Sequence, residues 1–251
     1  KRADCLSGIM NGIDIHVWNP ETDPAIATNY SGKKLKGKAA CKKAIQQRFG
    51  LNPKAKGPLL GIISRLADQK GFDILAHALP EILASGAQFV LLGTGHPGYH
   101  EFFQSLADAN GGQIGVELGF DDNLAHQIEA GVDIFLMPSL FEPCGLNQLY
   151  SLRYGTVPVV RRTGGLADSI YNMTPKGLAS GRSTGFVFTK YDADELQKTV
   201  LKAIRFYNKN PKGWRQLMLN GMAQDFSWEH SAKAYEKLMK SMLRHRSAEE
   251  E

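Results

Sequence analysis

Two basic residues stand close together in the segment SRLADQKG, which joins an apolar run to a helical pattern. Arg65 and Lys70 lie five positions apart there. Because a helix start carries free amides and the positive end of the helix dipole, two cations beside it suit a phosphate or a diphosphate. A pair of charges that face solvent is the alternative for this segment alone.

A carboxylate occupies the corresponding place after another apolar run. In the segment FEPCGLNQ, Glu142 follows the run VDIFLMPS and precedes a helical pattern. Pro143 restricts the backbone, and Gly145 lets it approach a ligand closely. Glu142 is placed to accept hydrogen bonds from hydroxyl groups, in which a sugar is rich. The alternative is that Glu142 caps the helix, a contribution of about 0.5–2 kcal/mol.

Two further apolar runs are followed by residues suited to a ligand. Thr163, Gly164 and Gly165 form a glycine turn at a helix start, which predicts a second anion site. Phe120 could stack on a base, and a contact at the core or its rim is the alternative. Phosphate binders combined with a hydroxyl binder describe a sugar nucleotide. The sequence shows no Ser-His-Asp set, metal cluster or close pair of carboxylates, so no hydrolase, metal site or cofactor is predicted.

A glycine motif offers a different interpretation. Residues 93–98, GTGHPG, match G-x-G-x-x-G, and Glu117 stands near the end of the next apolar run. This imitates the dinucleotide-binding pattern, in which an acid about twenty residues further on holds a ribose. The motif follows the second apparent strand rather than the first, and Pro97 stands where helix packing normally starts. An NAD-dependent dehydrogenase is therefore only a minor alternative.

The elements that must position these residues alternate between apolar runs and helical patterns. The runs are short and mostly lack polar alternation, which is typical of parallel strands buried on both faces. The alternation predicts the α/β class, with a Rossmann-like, doubly wound parallel sheet flanked by helices. Ligands bind such sheets at the carboxyl ends of the strands, where the candidate residues lie. The predicted strands are 59–64, 88–93, 113–119, 132–138, 156–161 and 184–189.

Three regions are predicted along the chain. Residues 1–57 hold a turn-rich lead-in and a basic helix between domains. Residues 58–191 form the Rossmann-like domain that binds the sugar nucleotide. Residues 192–251 contain helices only, and these could pack towards another domain.

Two surface segments have a composition that predicts their surroundings. Six lysines lie between Lys33 and Lys43. Because no aromatic residues are interleaved, they indicate a solvated helix face rather than a nucleic-acid patch. On the last helix, an apolar stripe from Trp228 to Met242 would pack on the domain's own sheet or face another domain.

The totals indicate an ordinary globular chain. It has 251 residues, of which 43% are hydrophobic and 22% charged, and a net charge of +5. No apolar run approaches the roughly 18 residues that span a bilayer. The first ten residues do not resemble a signal peptide, so no membrane partner is expected. Three widely spaced cysteines predict neither a disulfide framework nor a zinc site and favour a reducing compartment.

Three segments carry a resemblance to a known family: GIMNGIDIHVWNPETD, SRLADQKG and PSLFEPCGLNQLYSLRYGTVPVVRRTGGLADS. They closely resemble bacterial glycogen synthases and plant starch synthases, and the similarity runs over essentially the whole chain. The resemblance implies the GT-B architecture, in which two Rossmann-like domains face each other across a cleft. It also implies retaining transfer of glucose from ADP-glucose to the 4-hydroxyl at the non-reducing end of an α-1,4-glucan.

The resemblance also implies roles for individual residues. Arg65 and Lys70 match the pair that grips the donor diphosphate and stabilises the leaving ADP. Glu142 matches the acid that contacts the glucosyl hydroxyls, and these three are the implied catalytic residues. The implied donor contacts are the backbone of Cys144, Gly145 and Leu146 and the phosphate-binding turn of Thr163, Gly164 and Gly165.

Two positions differ from patterns seen among related enzymes. Phe120 falls where many relatives have a tyrosine stacked on adenine, so stacking should survive without the hydroxyl contact. Many other GT-B enzymes carry a second glutamate, for the ribose, at the position of Tyr150. Its absence is expected in the family that this chain resembles.

The resemblance finally implies a part of the enzyme that this chain does not contain. The family's other domain carries a Lys-x-Gly-Gly-Leu loop and much of the acceptor site, whereas residues 162–166 here read RTGGL. The chain is therefore interpreted as the C-terminal, donor-binding half. We expect it to fold independently, to bind ADP or ADP-glucose weakly and not to transfer glucose appreciably by itself.

The expected partners follow from the same resemblance. They are ADP-glucose or ADP and, through the other domain, an α-1,4-glucan acceptor; nucleic acid is not expected. The implied location is the bacterial cytoplasm, or the plastid for a plant or algal member. A non-catalytic module that binds a nucleotide or a glucan for a partner is the remaining alternative.

Overall fold

The computed structural model describes residues 6–249, with side chains through residue 243. Residues 1–5 and 250–251 lie outside the described residues. With them lie Cys5 and the outer ends of the predicted regions 1–57 and 192–251. The division into these three regions stays a prediction.

Six strands form one sheet: β1 (Leu59–Ile63), β2 (Gln88–Gly93), β3 (Ile114–Leu118), β4 (Ile134–Met137), β5 (Val157–Arg161) and β6 (Phe186–Phe188). Their order across the sheet is β3-β2-β1-β4-β5-β6, and all neighbouring pairs are parallel. This confirms the predicted doubly wound, Rossmann-like sheet and each of its six strands. The direction of winding changes at β1, where Leu60 pairs with Phe89 on one side and Ile134 on the other. A ligand crevice is expected at that point, between the loops that follow β1 and β4.

Helices cover both faces of the sheet. Leu60 and Ile62 pack against one group of helices, whereas Leu59 and Val90 pack against the other. The first group is α2 (Phe72–Ala84), α3 (Pro97–Ala109), α8 (Ala193–Lys209) and α9 (Pro211–Met222). The second group includes α1 (Lys36–Arg48), α4 (Asp122–Gly131), α5 (Asn147–Arg153) and α6 (Gly164–Ser169). The remaining helices are α7 (Pro175–Ala179) and α10 (Trp228–Glu249).

The lysine-rich helix is less solvated than its composition indicates. Lys38 is only 6% exposed, and its ammonium donates to Thr156 Oγ1 at 2.7 Å and to the carbonyl of Ala130 at 3.0 Å. Lys42 forms an ion pair with Asp133 at 2.7 Å. The prediction of a solvated face is therefore wrong for these two lysines, because buried carbonyl, hydroxyl and carboxylate oxygens face them.

The last helix presents its apolar stripe to solvent. Trp228, Tyr235, Met239 and Met242 are all more than 40% exposed. Packing onto the domain's own sheet is therefore wrong for these four side chains, since α10 leaves them uncovered. Within residues 6–249, no helix has both the length and the apolar character needed to cross a bilayer.

Candidate active site

The turn that carries Lys70 is held tightly against the end of β4. A 3-10 turn, Asp68–Lys70, follows β1 and leads into Gly71, which adopts a left-handed conformation with φ of +78°. A Cβ atom at Gly71 would lie 2.2 Å from the carbonyl oxygen of Pro138, so only glycine permits this approach. The contact brings Lys70 beside the loop that follows β4.

Lys70 and Glu142 form an ion pair at the crevice. The Lys70 ammonium lies 2.6 Å from Glu142 Oε2, which also accepts a hydrogen bond from Ser139 Oγ at 3.3 Å. The Glu142 side chain is 8% exposed and that of Lys70 is 21% exposed. Glu142 does not cap α5, because Leu146 holds the N-cap position. The helix-cap alternative for Glu142 is therefore wrong.

Arg161 supports the loop that carries Glu142 and was not identified from the sequence. Arg161 is the last residue of β5, and its Nε donates to the carbonyl of Ser139 at 2.8 Å. Its guanidinium also donates to the carbonyl of Leu140 and to that of Thr189, and it stacks over the ring of Tyr191 at 5.7 Å. The position of Arg161 at a strand's carboxyl end was the only signal that could have found it.

Two tyrosines form hydrogen bonds with aspartates in and just after the turn that carries Lys70. Tyr191 donates its hydroxyl hydrogen to Asp73 at 2.5 Å, and Tyr99 donates to Asp68 at 2.7 Å. Desolvation and, next, the bond to Asp73 raise the pKa of Tyr191 well above its usual range. The Tyr191 hydroxyl therefore stays protonated and keeps its role as a donor.

A buried glutamine underlies the segment from Cys144 to Leu146. The side-chain amide of Gln148 donates to the carbonyls of Cys144 and Gly145, both at 3.0 Å, and to Ser169 Oγ at 3.3 Å. Gly145 has a φ of +72°, which favours glycine. Because Gln148 binds two successive carbonyls of this segment, it fixes the path of the backbone. The Leu146 side chain is 37% exposed.

The predicted glycine turn lies against the same loop. Gly164 has a φ of +42°, and a Cβ atom there would lie 2.0 Å from the carbonyl oxygen of Glu142. The Gly165 amide donates to the carbonyls of Glu142 and Pro143 at 3.1 and 3.2 Å. Gly165 therefore supports the loop. The phosphate contact of Thr163, Gly164 and Gly165 stays a prediction.

Two adjoining clefts open at the carboxyl edge of the sheet. The central cleft, of about 340 Å³, is lined by Arg65, Lys70, Glu142 and Gly145 among others. The side cleft, of about 260 Å³, is lined by Phe120, whose ring is 90% exposed. The two clefts share Ile63, Ser64, Arg65 and Asn147. The structure thus places the predicted cations, acid and aromatic ring around one continuous groove.

Arg65 is exposed in this groove. Among the residues that the structure describes, no carboxylate lies within ion-pair distance of its guanidinium, and its side chain forms no hydrogen bond. In contrast to Lys70, Arg65 therefore has its full donor capacity available for an anion. In the described part of the chain, no group of histidine, cysteine, aspartate and glutamate side chains is arranged to hold a metal ion.

The glycines of residues 93–98 serve packing between loops. A Cβ atom at Gly93 would lie 1.8 Å from the carbonyl oxygen of Ser64, and one at Gly95 would lie 2.3 Å from that of Leu66. His96 caps α3 by accepting a hydrogen bond from the Gly98 amide. Gly93 and Gly95 thus let the loop after β1 lie against the end of β2 and the loop that follows it, which accounts for these two glycines without a dinucleotide.

Replacing Gly93 with alanine should destabilise the chain by about 2–3 kcal/mol, because the new methyl group meets backbone that cannot move aside. Urea unfolding would measure the loss. Gly98→Ala is the matched control from the same motif, since its Cβ would meet only the His96 side chain, at 3.3 Å. Equal stability of the two variants would contradict this account of Gly93.

A family model described as glycosyl transferases group 1 matches residues 44–215. Among curated proteins, a glycogen synthase of Anaeromyxobacter dehalogenans (strain 2CP-C) is 49% identical over 241 residues, which are 96% of this chain and 50% of that protein. Glycogen synthase 1 of Geobacter metallireducens is 48% identical over 251 residues, which are 100% of this chain and 49% of that protein. The chain spans about half the length of the curated relatives it matches.

Solved structures agree with these similarities. The catalytic domain of starch synthase IV from Arabidopsis thaliana, bound to ADP and acarbose, is 37% identical with a TM-score of 0.87. The match covers 93% of this chain and 48% of that one. Anabaena Alr3699/HepE, in complex with UDP and glucose, is 20% identical with a TM-score of 0.67 over 96% of this chain and 58% of that one, a similarity of fold.

Proposed function

The chain belongs to the group 1 glycosyltransferases, and on that premise we propose that it is the C-terminal, donor-binding half of a glycogen or starch synthase. The complete enzyme would transfer glucose from ADP-glucose to the 4-hydroxyl at the non-reducing end of an α-1,4-glucan, with retention of configuration. The observation that carries the proposal is the groove in which Arg65, Lys70 and Glu142 meet.

The two cations suit the departure of a diphosphate. Breaking the bond between the anomeric carbon and the diphosphate builds negative charge on the leaving oxygen. Arg65 and Lys70 line the same cleft and would oppose that charge from fixed positions. One such preorganised donor is typically worth roughly 3–4 kcal/mol of barrier. In this proposal the ADP leaving group is therefore held by Arg65 and Lys70, and no metal ion is needed.

Glu142 is arranged to contact the sugar. Its Oε2 is engaged by Lys70 and Ser139, which leaves Oε1 for a hydroxyl of the donor glucose. Retention then follows either from a covalent carboxylate or from attack on the front face assisted by the departing phosphate. The engagement of Oε2 supports the role of a sugar contact.

The remaining donor contacts follow the groove. Phe120 would stack on the adenine in the side cleft, because a ring that is 90% exposed offers a face to a planar base. Thr163 and Gly164 would contact phosphate. The segment from Cys144 to Leu146 would offer its backbone to the donor sugar from the wall of the central cleft.

The acceptor glucan would be bound mainly by the other half of the enzyme. The chain spans about half the length of its curated relatives. The apolar stripe of α10 is exposed, which suits a surface that contacts another domain. We therefore propose that the chain alone binds nucleotide without transferring glucose, and that the complete enzyme works in the cytoplasm of a bacterium.

Calorimetric titration of the chain with ADP-glucose, ADP, UDP-glucose and NADH tests the proposal. We expect ADP and ADP-glucose to bind, with much weaker binding of the other two. Tightest binding of UDP-glucose would contradict the proposed donor, and tightest binding of NADH would favour the dehydrogenase. If none of the four binds, the claim that the chain alone holds nucleotide fails. Transfer onto glycogen that is lost in Lys70→Ala would contradict the claim of inactivity.

A further inference from the structure

A third cleft lies at the far end of α5 from the donor groove. Asn147, the first residue of α5, lines both donor clefts, whereas Arg153, its last residue, lines this one. The helix has 7 residues, so about 10 Å separates its two ends. We call this third cleft the basic cleft. It has a volume of about 600 Å³ and lies between residues 31–34 and the C-terminal end of α9.

Three cations converge on the basic cleft without partners. Lys33, Lys34 and Arg153 line it, and the side chains of these three form no ion pair or hydrogen bond within residues 6–243. The Nε atom of Arg153 is fully enclosed and still lacks an acceptor. Lys42 and Lys70, by contrast, each hold a carboxylate within 2.7 Å. Among the described side chains, the basic cleft thus gathers three cations, none of which has a carboxylate within ion-pair distance, and Glu21 is the one acidic residue that lines it.

The lining of the basic cleft indicates the chemistry of its occupant. A guanidinium matches a phosphate with two parallel hydrogen bonds, and three cations that hold no carboxylate suit an anion. A phosphate monoester carries a charge of about −1.5 to −2 near pH 7 and three acceptor oxygens, which suits three cations. Leu219 and Met222 supply an apolar wall, and Glu21 at the same cleft could accept hydroxyl hydrogens. The volume fits a small molecule.

We propose that the basic cleft binds a small phosphate monoester through Lys33, Lys34 and Arg153. The three side chains surround the phosphate, and the ester group lies between the apolar wall and Glu21. This site is separate from the donor groove and does not depend on the proposed function. It gives the chain a second anion-binding site that touches the C-terminal end of the helix whose start lines the donor groove.

Titration in a donor-site variant tests the proposal. The protein is Arg65→Ala, which removes the unpaired cation of the donor groove, and binding of inorganic phosphate, glucose 1-phosphate and glucose is followed by calorimetry at constant ionic strength. We expect saturable binding of the two phosphates and none of glucose. Adding Lys33→Gln and Lys34→Gln together should weaken phosphate binding by about tenfold or more, and Arg153→Met should do the same.

The matched control is the pair Lys36→Gln and Lys43→Gln, which removes equal charge from exposed positions outside the basic cleft. It should change the affinity by less than about twofold, since exposed charges are screened by solvent and salt. Equal losses in the two double variants would overturn the proposal, as would unchanged binding without Lys33 and Lys34 or the absence of saturable phosphate binding. Because Lys33 and Lys34 are exposed, their variant remains decisive even if Arg153→Met fails to fold.

Discussion

Replacing Arg65 with alanine is expected to weaken ADP binding by about 100-fold or more. The guanidinium would supply two charge-assisted hydrogen bonds to the diphosphate, each worth about 1.5–3 kcal/mol, and about 1.4 kcal/mol corresponds to tenfold in affinity. The free energy of unfolding should stay unchanged, because Arg65 is exposed and its side chain forms no hydrogen bond or ion pair within the described residues. Calorimetric titration and urea unfolding measure the two quantities.

Two further variants separate the role of Arg65 from loss of charge. Arg65→Lys keeps the charge without the planar fork, so its affinity for ADP should lie between those of the wild type and the alanine variant. Arg205→Ala removes an exposed arginine from α8, away from the groove, and should bind ADP as the wild type does. If Arg65→Ala retains the wild-type affinity, the diphosphate does not lie on this cation.

The sheet could be predicted because each strand carries its own signal. Runs such as LLGII and QFVLLG are apolar without alternation, and β1 and β2 are almost fully buried on both faces. Once the strands were parallel, the loops after them had to meet at one edge. For this reason Arg65, Phe120 and Glu142 could be placed around one groove from the sequence.

The contacts within the site required the strand order, which local patterns do not contain. Lys70 and Glu142 lie 72 residues apart along the chain and meet because β1 pairs with β4. Arg161 crosses from β5 to the loop after β4, and no local pattern distinguishes it from any other arginine at a strand end. Lys38 looked solvated for the same reason, since its partners come from α4 and the segment before β5.

A buried glutamate near Lys38, Glu129, should make the free energy of unfolding depend on pH. Glu129 on α4 is 0% exposed, and its Oε2 accepts a hydrogen bond from Ser151 at 2.7 Å while Oε1 has no partner. Burial raises the pKa of Glu129 from 4.5 to about 8, against the smaller opposing effects of Ser151 and Lys38. Burial likewise lowers the pKa of Lys38 from 10.5 to about 8, so the destabilisation that Lys38 causes is complete below about pH 8 and is lost as the pH rises towards 10.5.

The wild-type chain should lose stability as the pH rises towards 8, and Glu129→Gln is expected to abolish this loss. The folded chain binds the Glu129 proton more tightly than the unfolded chain does, so this stabilisation is complete below pH 4.5 and is lost as the pH approaches about 8. The slope is at most about 1.4 kcal/mol per pH unit, which amounts to several kcal/mol over this range.

Urea unfolding at about pH 5 and about pH 8 measures this difference. The free energy of unfolding of Glu129→Gln should be close to that of the wild type at the lower pH and clearly larger at the higher pH. Glu101→Gln, an exposed position on α3, should parallel the wild type throughout. If the difference between Glu129→Gln and wild type does not grow with pH, Glu129 is ionised in the folded chain and the burial argument fails.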